Sequence, residues 1–266
     1  MTDYSRITIF LITLVLIGCS SIPTESPPAL VGVEVEVLTD SEDPEVMIET
    51  ANRYCNYSTP LKKQLAAFKL AQRAYLLDRS NRAAALTMAR SALFISGLIE
   101  DDDMKWEIIR KGFEGAVRAG GEEDDPASAY YFGALLGLLI EEEGLTAAGE
   151  VPRFQEAMER AEKKPETDMG GPLRALGMLY LRAPAWPAGV GDLELSLEFL
   201  ERAGLEYPDH PENHLFFAYA LEEDDQILEA REALRRAEES ISGGQWGEYA
   251  PRWQKEINHF RNELED

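Results

Sequence analysis

Six residues in a single register constrain this chain more than any other feature of its sequence. Phe217 is followed at once by the small Ala218, and then come Leu221, Ala230, Leu234 and Ala237. If His214 is counted as position 4 of a unit, these residues fall at positions 7, 8, 11, 20, 24 and 27. That spacing suits two antiparallel helices, in which small residues let the axes approach and large ones fill the groove beside them. The set recurs upstream. Leu173, Leu176, Gly177 and Tyr180 occupy positions 4, 7, 8 and 11 of a preceding unit. Ser196, Leu200, Ala203 and Pro208 fit its second half once about seven extra residues are set aside. Ala129, Phe132, Gly133 and Leu136 repeat the first half again. A hairpin of this kind buries its apolar face only by stacking on a neighbour.

The spacing is that of tetratricopeptide repeats, helical hairpins of about 34 residues. The expected fold is all-α, a solenoid of three to four degenerate repeats with a terminal helix, Pro251 to Leu264, as a solubilising cap. Apolar periodicity and Gly/Pro breaks place helices near 44–57, 60–78, 80–98, 103–119, 126–143, 152–164, 171–182, 192–207, 211–223, 226–241 and 250–264. The one alternating stretch, VGVEVEV at 31–37, lies outside that domain. The extra residues between two helices include Pro184, Trp186, Pro187, Gly189 and Gly191, too much punctuation for a helix to continue. In such repeats the first helix of each hairpin lines the concave face. Here that face carries Tyr130, Arg174, Met178, Leu181, Leu215 and Tyr219, an apolar set for so charged a chain. It reads as a partner or ligand groove, with Trp186 folded over its mouth.

The N-terminus has another purpose. Arg6 precedes an apolar run from Ile7 to Ile17, of signal-peptide length and too short to span a bilayer comfortably. It ends in Leu16-Ile17-Gly18-Cys19, which resembles a bacterial lipobox. The expected organisation is a lipoprotein signal peptide at 1–18, a lipidated Cys19 with a Pro/Ser-rich tether at 19–43, and the helical domain at 44–266. Ser20, not Asp, follows the Cys, which by the same resemblance favours the outer membrane. The net charge of −23 is unchanged by removing the leader, which holds one Arg and one Asp. Such a charge repels phosphate backbones and excludes nucleic acid as an expected partner.

Chemistry is sparse. With Cys19 lipidated, Cys55 has no thiol partner and reads as a buried structural residue. His210 and His214 are spaced as zinc ligands on a helix can be, but Pro211 stands where a zinc hydrolase needs Glu, and no third ligand is evident. They read as surface histidines at a helix start, with no metal and no cofactor expected. The acidic runs at 101–103, 122–125 and 223–225, and Asp209 with Glu212, read as helix caps. There is no nucleophile elbow, phosphate loop or Cys–His pair, so the chain is not expected to be an enzyme.

Further residues carry a family resemblance. Gly170-Gly171-Pro172-x-Arg174-x-x-Gly177-x-x-Tyr180-x-x-Ala183-Pro184, then Gly191-Asp192 and Pro208-x-x-Pro211-x-Asn213, follow a lipobox and tether. Together they resemble the TatT family, the T components associated with tripartite ATP-independent periplasmic (TRAP) transporters. The resemblance implies a lipid-anchored helical repeat protein facing the periplasm. It further implies docking to the system's solute-binding protein and self-association as a trimer with a channel through each subunit; the apolar groove adds the expectation of an apolar ligand held or passed. A general envelope scaffold for outer-membrane or cell-wall assembly is the alternative, and an enzyme on a helical solenoid a third.

Overall fold

The computed structural model describes residues 36–123, 125–243 and 245–265. The signal peptide, Cys19 and most of the tether lie outside the described residues. Residues 36–43 form no regular element, and the helices begin at Pro44, where Asp43 caps the first free amides through Glu45 N.

Eleven α-helices follow, together with one 3-10 turn, and the described residues form no strand. They are α1 (Pro44–Tyr54), α2 (Leu61–Leu77), α3 (Arg82–Ser96), α4 (Asp102–Arg118), α5 (Pro126–Glu143) and α6 (Val151–Ala161). Then come α7 (Gly171–Arg182), α8 (Leu193–Glu206), α9 (Pro211–Glu223), α10 (Ile227–Ile241) and α11 (Tyr249–Glu263). The boundaries follow local chemistry. Asn81, Asp101, Asp125 and Asp192 each accept a hydrogen bond from a first-turn amide, starting α3, α4, α5 and α8. Proline opens α1, α5, α6, α7 and α9, where its missing N–H costs nothing. Two expected caps are not formed. Asp209 lies outside α9, whose N-cap is His210 without a side-chain bond, and α10 starts at Gln226 without an acidic cap.

Each helix packs on the next, and the 3-10 turn Gly144–Glu150 packs on both α5 and α6. Among the described residues the odd-numbered helices also touch one another in sequence, from α1·α3 through α9·α11, whereas no even-numbered helix touches the next even one. The chain is therefore two layers of helices, odd inside and even outside. Small-against-large pairs set the spacing within each hairpin. A Cβ added to Gly177 on α7 would lie 2.4 Å from Leu200 Cγ on α8, and one on Gly133 of α5 2.7 Å from Met158 Cε on α6. One apolar core spans α1 to α7 and a second spans α9 to α11.

The two ends of the array meet. Glu248, just before α11, accepts a hydrogen bond from Leu61 N at 3.1 Å and so caps α2, whose own N-cap Pro60 offers no side chain for the task. Tyr57, in the α1–α2 connection, packs its ring on Trp246, Tyr249 and Trp253 at 5.1–5.5 Å. The terminal helix is thus a closing element that buries Trp253, Ile257 and Phe260, and its solvated face is only half of its role.

The α3–α4 contact leaves no room for a methyl group: a Cβ on Gly112 would sit 2.3 Å from Ala92 Cβ. Gly112→Ala is expected to lower the melting temperature although alanine favours helix by about 1 kcal/mol, because overpacking costs about 1–3 kcal/mol. Adding Ala92→Gly should restore the loss, and a double variant no more stable than Gly112→Ala alone would contradict the tight approach.

Candidate functional site

The most polar part of the interior lies where the two ends meet. The α6–α7 connection passes through three consecutive left-handed residues, Asp168 (φ 51°), Met169 (φ 48°) and Gly170 (φ 90°). Only the glycine adopts this conformation freely, so two strained residues aim the Asp168 carboxylate inward. There it accepts from Tyr57 Oη at 2.9 Å, Tyr130 Oη at 2.6 Å and Arg174 Nη2 at 2.9 Å. Both charged side chains are nearly enclosed, Arg174 at 6% exposure and Asp168 at 7%. Gly171 starts α7 against the Tyr130 phenol, 2.5 Å from where its Cβ would be, so no larger residue fits.

Arg174 and Asn213 complete the joint. Arg174 Nη1 donates to Asn213 Oδ1 at 2.9 Å and to the carbonyls of Met169 and Asp168. Asn213 Nδ2 donates to the carbonyls of Met169, Ala203 and Tyr207, tying α8 and α9 to the same loop. Glu212 faces Arg174 Nε at 3.8 Å and accepts from Trp253 Nε1 at 2.9 Å. Burial raises the Glu212 carboxyl above its ordinary range, with Arg174 opposing. Burial likewise lifts the phenols of Tyr57 and Tyr130 well above theirs, which keeps both hydroxyls protonated as donors.

His210 has a defined tautomer. Tyr57 Oη spends its proton on Asp168, so it accepts from His210 Nε2, 3.0 Å away. Nδ1 is then the lone-pair nitrogen, buried and without a hydrogen-bond partner. Burial pushes the imidazole pKa well below its ordinary value, with Arg174 and His214 adding to the effect. His214 is buried too, and its Nε2 bonds the Pro208 carbonyl at 2.8 Å. The expected surface histidines are therefore interior ones, because the closed array covers the start of α9. Cys55 is buried as the sequence implies, its Sγ 2.8 Å from Ser91 Oγ. Among the described residues no cluster of His, Cys, Asp and Glu could hold a metal ion, and no helix is long and apolar enough to cross a membrane.

The expected groove residues differ in their surroundings. Tyr130 and Arg174 are in the joint, and Leu215 is fully buried in the second core. Met178 and Leu181 are partly buried on α7, and Tyr219 is held by Glu256 at 2.9 Å and packs on Phe260. Burial takes Tyr130, Arg174 and Leu215 out of any open groove, and α11 packs against Leu215 and Tyr219. Trp186 does not cover anything: it is 85% exposed. Its loop closes on itself through Gly191 N to Pro184 O and Asp192 N to Tyr180 O, which holds the indole outward. A side chain at Gly191 would strike the Ala183 carbonyl at 2.0 Å.

A comparison with protein-family models finds none that matches the chain, and one with the curated proteins finds no match.

Two predictions follow from the joint. Arg174→Met strands the Asp168 carboxylate and is expected to cost about 3–5 kcal/mol. Adding Asp168→Asn should recover part of that loss in denaturant titrations, whereas strict additivity would show that the two charges are not coupled.

The second concerns pH. In the unfolded chain His210 takes up a proton near pH 6.5, whereas the folded site resists it. This contribution to stability is complete above that pH and lost as the pH falls, by about 1.4 kcal/mol per unit. Glu212, shifted upward, has the opposite sign: its contribution is complete below its ordinary value and lost as the pH rises. His210→Gln should therefore flatten the fall in melting temperature between about pH 7 and pH 5. An unchanged slope would place the titration elsewhere.

Proposed function

We propose that the protein is a lipid-anchored repeat protein of the bacterial envelope, a solenoid of the tetratricopeptide type. In this reading it faces the periplasm and serves as the T component of a TRAP-type system, docking that system's solute-binding protein. The observation that carries the reading is the role of the motif residues. Gly170, Gly171, Arg174 and Asn213, on which the resemblance rests, are the residues that build the buried joint. That each of these residues has a separate steric or hydrogen-bonding duty in one joint supports reading them together as a motif. The small-against-large pair Gly177–Leu200, at positions 8 and 24 of the unit, supports the repeat assignment in the same way.

The docking surface in this reading is the outward loop 183–191. Trp186 is a large amphipathic side chain on a loop fixed at its base, which lowers the ordering cost on binding. Leu205 and Leu228 are further exposed apolar side chains available to a partner.

The test uses the mature, lipidated protein to capture partners from envelope extract. A TRAP-type solute-binding protein is the expected capture; outer-membrane or cell-wall assembly proteins alone would favour the scaffold reading. Trp186→Ala should weaken the captured complex at least about tenfold, or ~1.4 kcal/mol, with little change in melting temperature. A normal complex with a lowered melting temperature would make the loop structural. Cys19→Ala should abolish acyl labelling, and labelling that persists would remove the anchor from the account.

A further inference from the structure

A second face of the joint opens to solvent. A cleft of about 410 Å³ lies between α1, α3, α5 and the 164–168 loop, and Asp168 is part of its wall. The volume is in the range of small-molecule sites. Its apolar side is formed by Ala83, Leu86 and Ala127, and its polar side includes Arg90, Tyr131, Lys164 and Thr167, with Glu166 as a second acidic residue beside Asp168.

Arg90 is the unusual member. The chain carries 49 acidic residues against 26 basic ones, so a basic side chain has many carboxylates to choose from. Arg90 nevertheless forms no ion pair with any described residue, and neither does Lys164. The Arg90 guanidinium is still held in place. Its Nη2 donates to the Cys55 carbonyl at 3.0 Å, and its carbon lies 5.7 Å from the Phe94 ring centre. Its buried Nε has no partner, and the same is true of Thr167 Oγ1. The Tyr131 hydroxyl makes no hydrogen bond to a described residue, and burial raises its pKa with Arg90 opposing, so it is present as a donor. Two carboxylates also line the cleft: Asp168 already accepts from Tyr57, Tyr130 and Arg174, and the exposed Glu166 is not ion-paired with Arg90 or Lys164.

A fixed guanidinium and a phenol beside an apolar wall, with the exposed Lys164 ammonium at the rim and no ion pair from Arg90 to a described residue, form a receptor for one small anion with an apolar body. We propose that this cleft binds a small organic carboxylate, its charge held by Arg90 and Lys164 with Tyr131 donating, and its carbon chain against Leu86 and Ala127. No residue of the 183–191 loop lines the cleft, so the site does not require the partner surface.

The test is calorimetric titration of the mature protein with hexanoate, lactate, hexanamide and inorganic phosphate. Hexanoate or lactate should bind with a Kd below about 1 mM. Hexanamide, which keeps the shape and lacks the charge, should bind at least about tenfold more weakly. Arg90→Gln should reduce carboxylate affinity by about tenfold or more, and Arg90→Lys by less, since it retains charge but not the fork. Arg90→Gln also loses the bond to Cys55, so Lys164→Gln, on an exposed side chain, gives an independent reading and should weaken binding several-fold without changing the melting temperature. Four results would overturn the proposal: no carboxylate binding at about 10 mM, equal binding of hexanamide, phosphate bound in preference to both carboxylates, or full affinity in Arg90→Gln and Lys164→Gln.

Discussion

The ion pair between Asp168 and Arg174 is the interaction on which the closed arrangement depends. Two opposite charges taken out of water lose more hydration than their attraction returns unless their remaining hydrogen-bonding positions are filled. Here they are filled by two phenols, an amide and two backbone carbonyls drawn from the α1–α2 connection, α5, the 164–170 loop and α9. Satisfying one pair therefore fixes the relative placement of segments more than a hundred residues apart. The left-handed run 168–170, which costs about 1–3 kcal/mol per non-glycine residue, persists because those bonds over-determine it.

Apolar burial alone would not produce this closure. The two large cores lie toward opposite ends of the chain, one in α1 to α7 and one in α9 to α11. Between them is a small aromatic cluster of Trp246, Tyr249 and Trp253, against which Tyr57 and His210 pack edge-on. Exposed ion pairs such as Arg235–Glu232 and Arg53–Glu49 occupy the outer surface, where pairs of this kind contribute little. The order of the array is set by helix-on-helix stacking, and its closure by polar contacts at one point.

The helices were legible because their signals are local. Asp43, Asn81, Asp101, Asp125 and Asp192 stand where a cap is needed, and prolines mark the starts of α5, α7 and α9. The repeat register also pointed correctly to buried positions such as Ala218, Leu234 and Ala237. What the sequence could not provide was the partner of each polar side chain. His210 and His214 read as exposed because Tyr57, which covers His210, is 153 residues away. Tyr130, Arg174 and Leu215 read as a groove because an open array would expose those positions, whereas α11 returns to fill the space. Asp168 had a signal, its place directly before Met169-Gly170-Gly171, but only the left-handed geometry reveals what it holds. Arg90 had none, since a missing ion partner is visible only in three dimensions.

The central claim is that the terminal helix and the first connection are parts of one cooperative unit joined through the polar contacts. Amide hydrogen exchange of Trp253→Ala measures this directly, since Trp253 touches Tyr57, His210 and Glu212 from the far end of the chain. Faster exchange is predicted in the 55–64 segment and in 166–174 as well as in α11, because losing the indole opens the joint to both. Acceleration confined to α10 and α11, with the 55–64 and 166–174 amides as protected as in the wild type, would contradict the account.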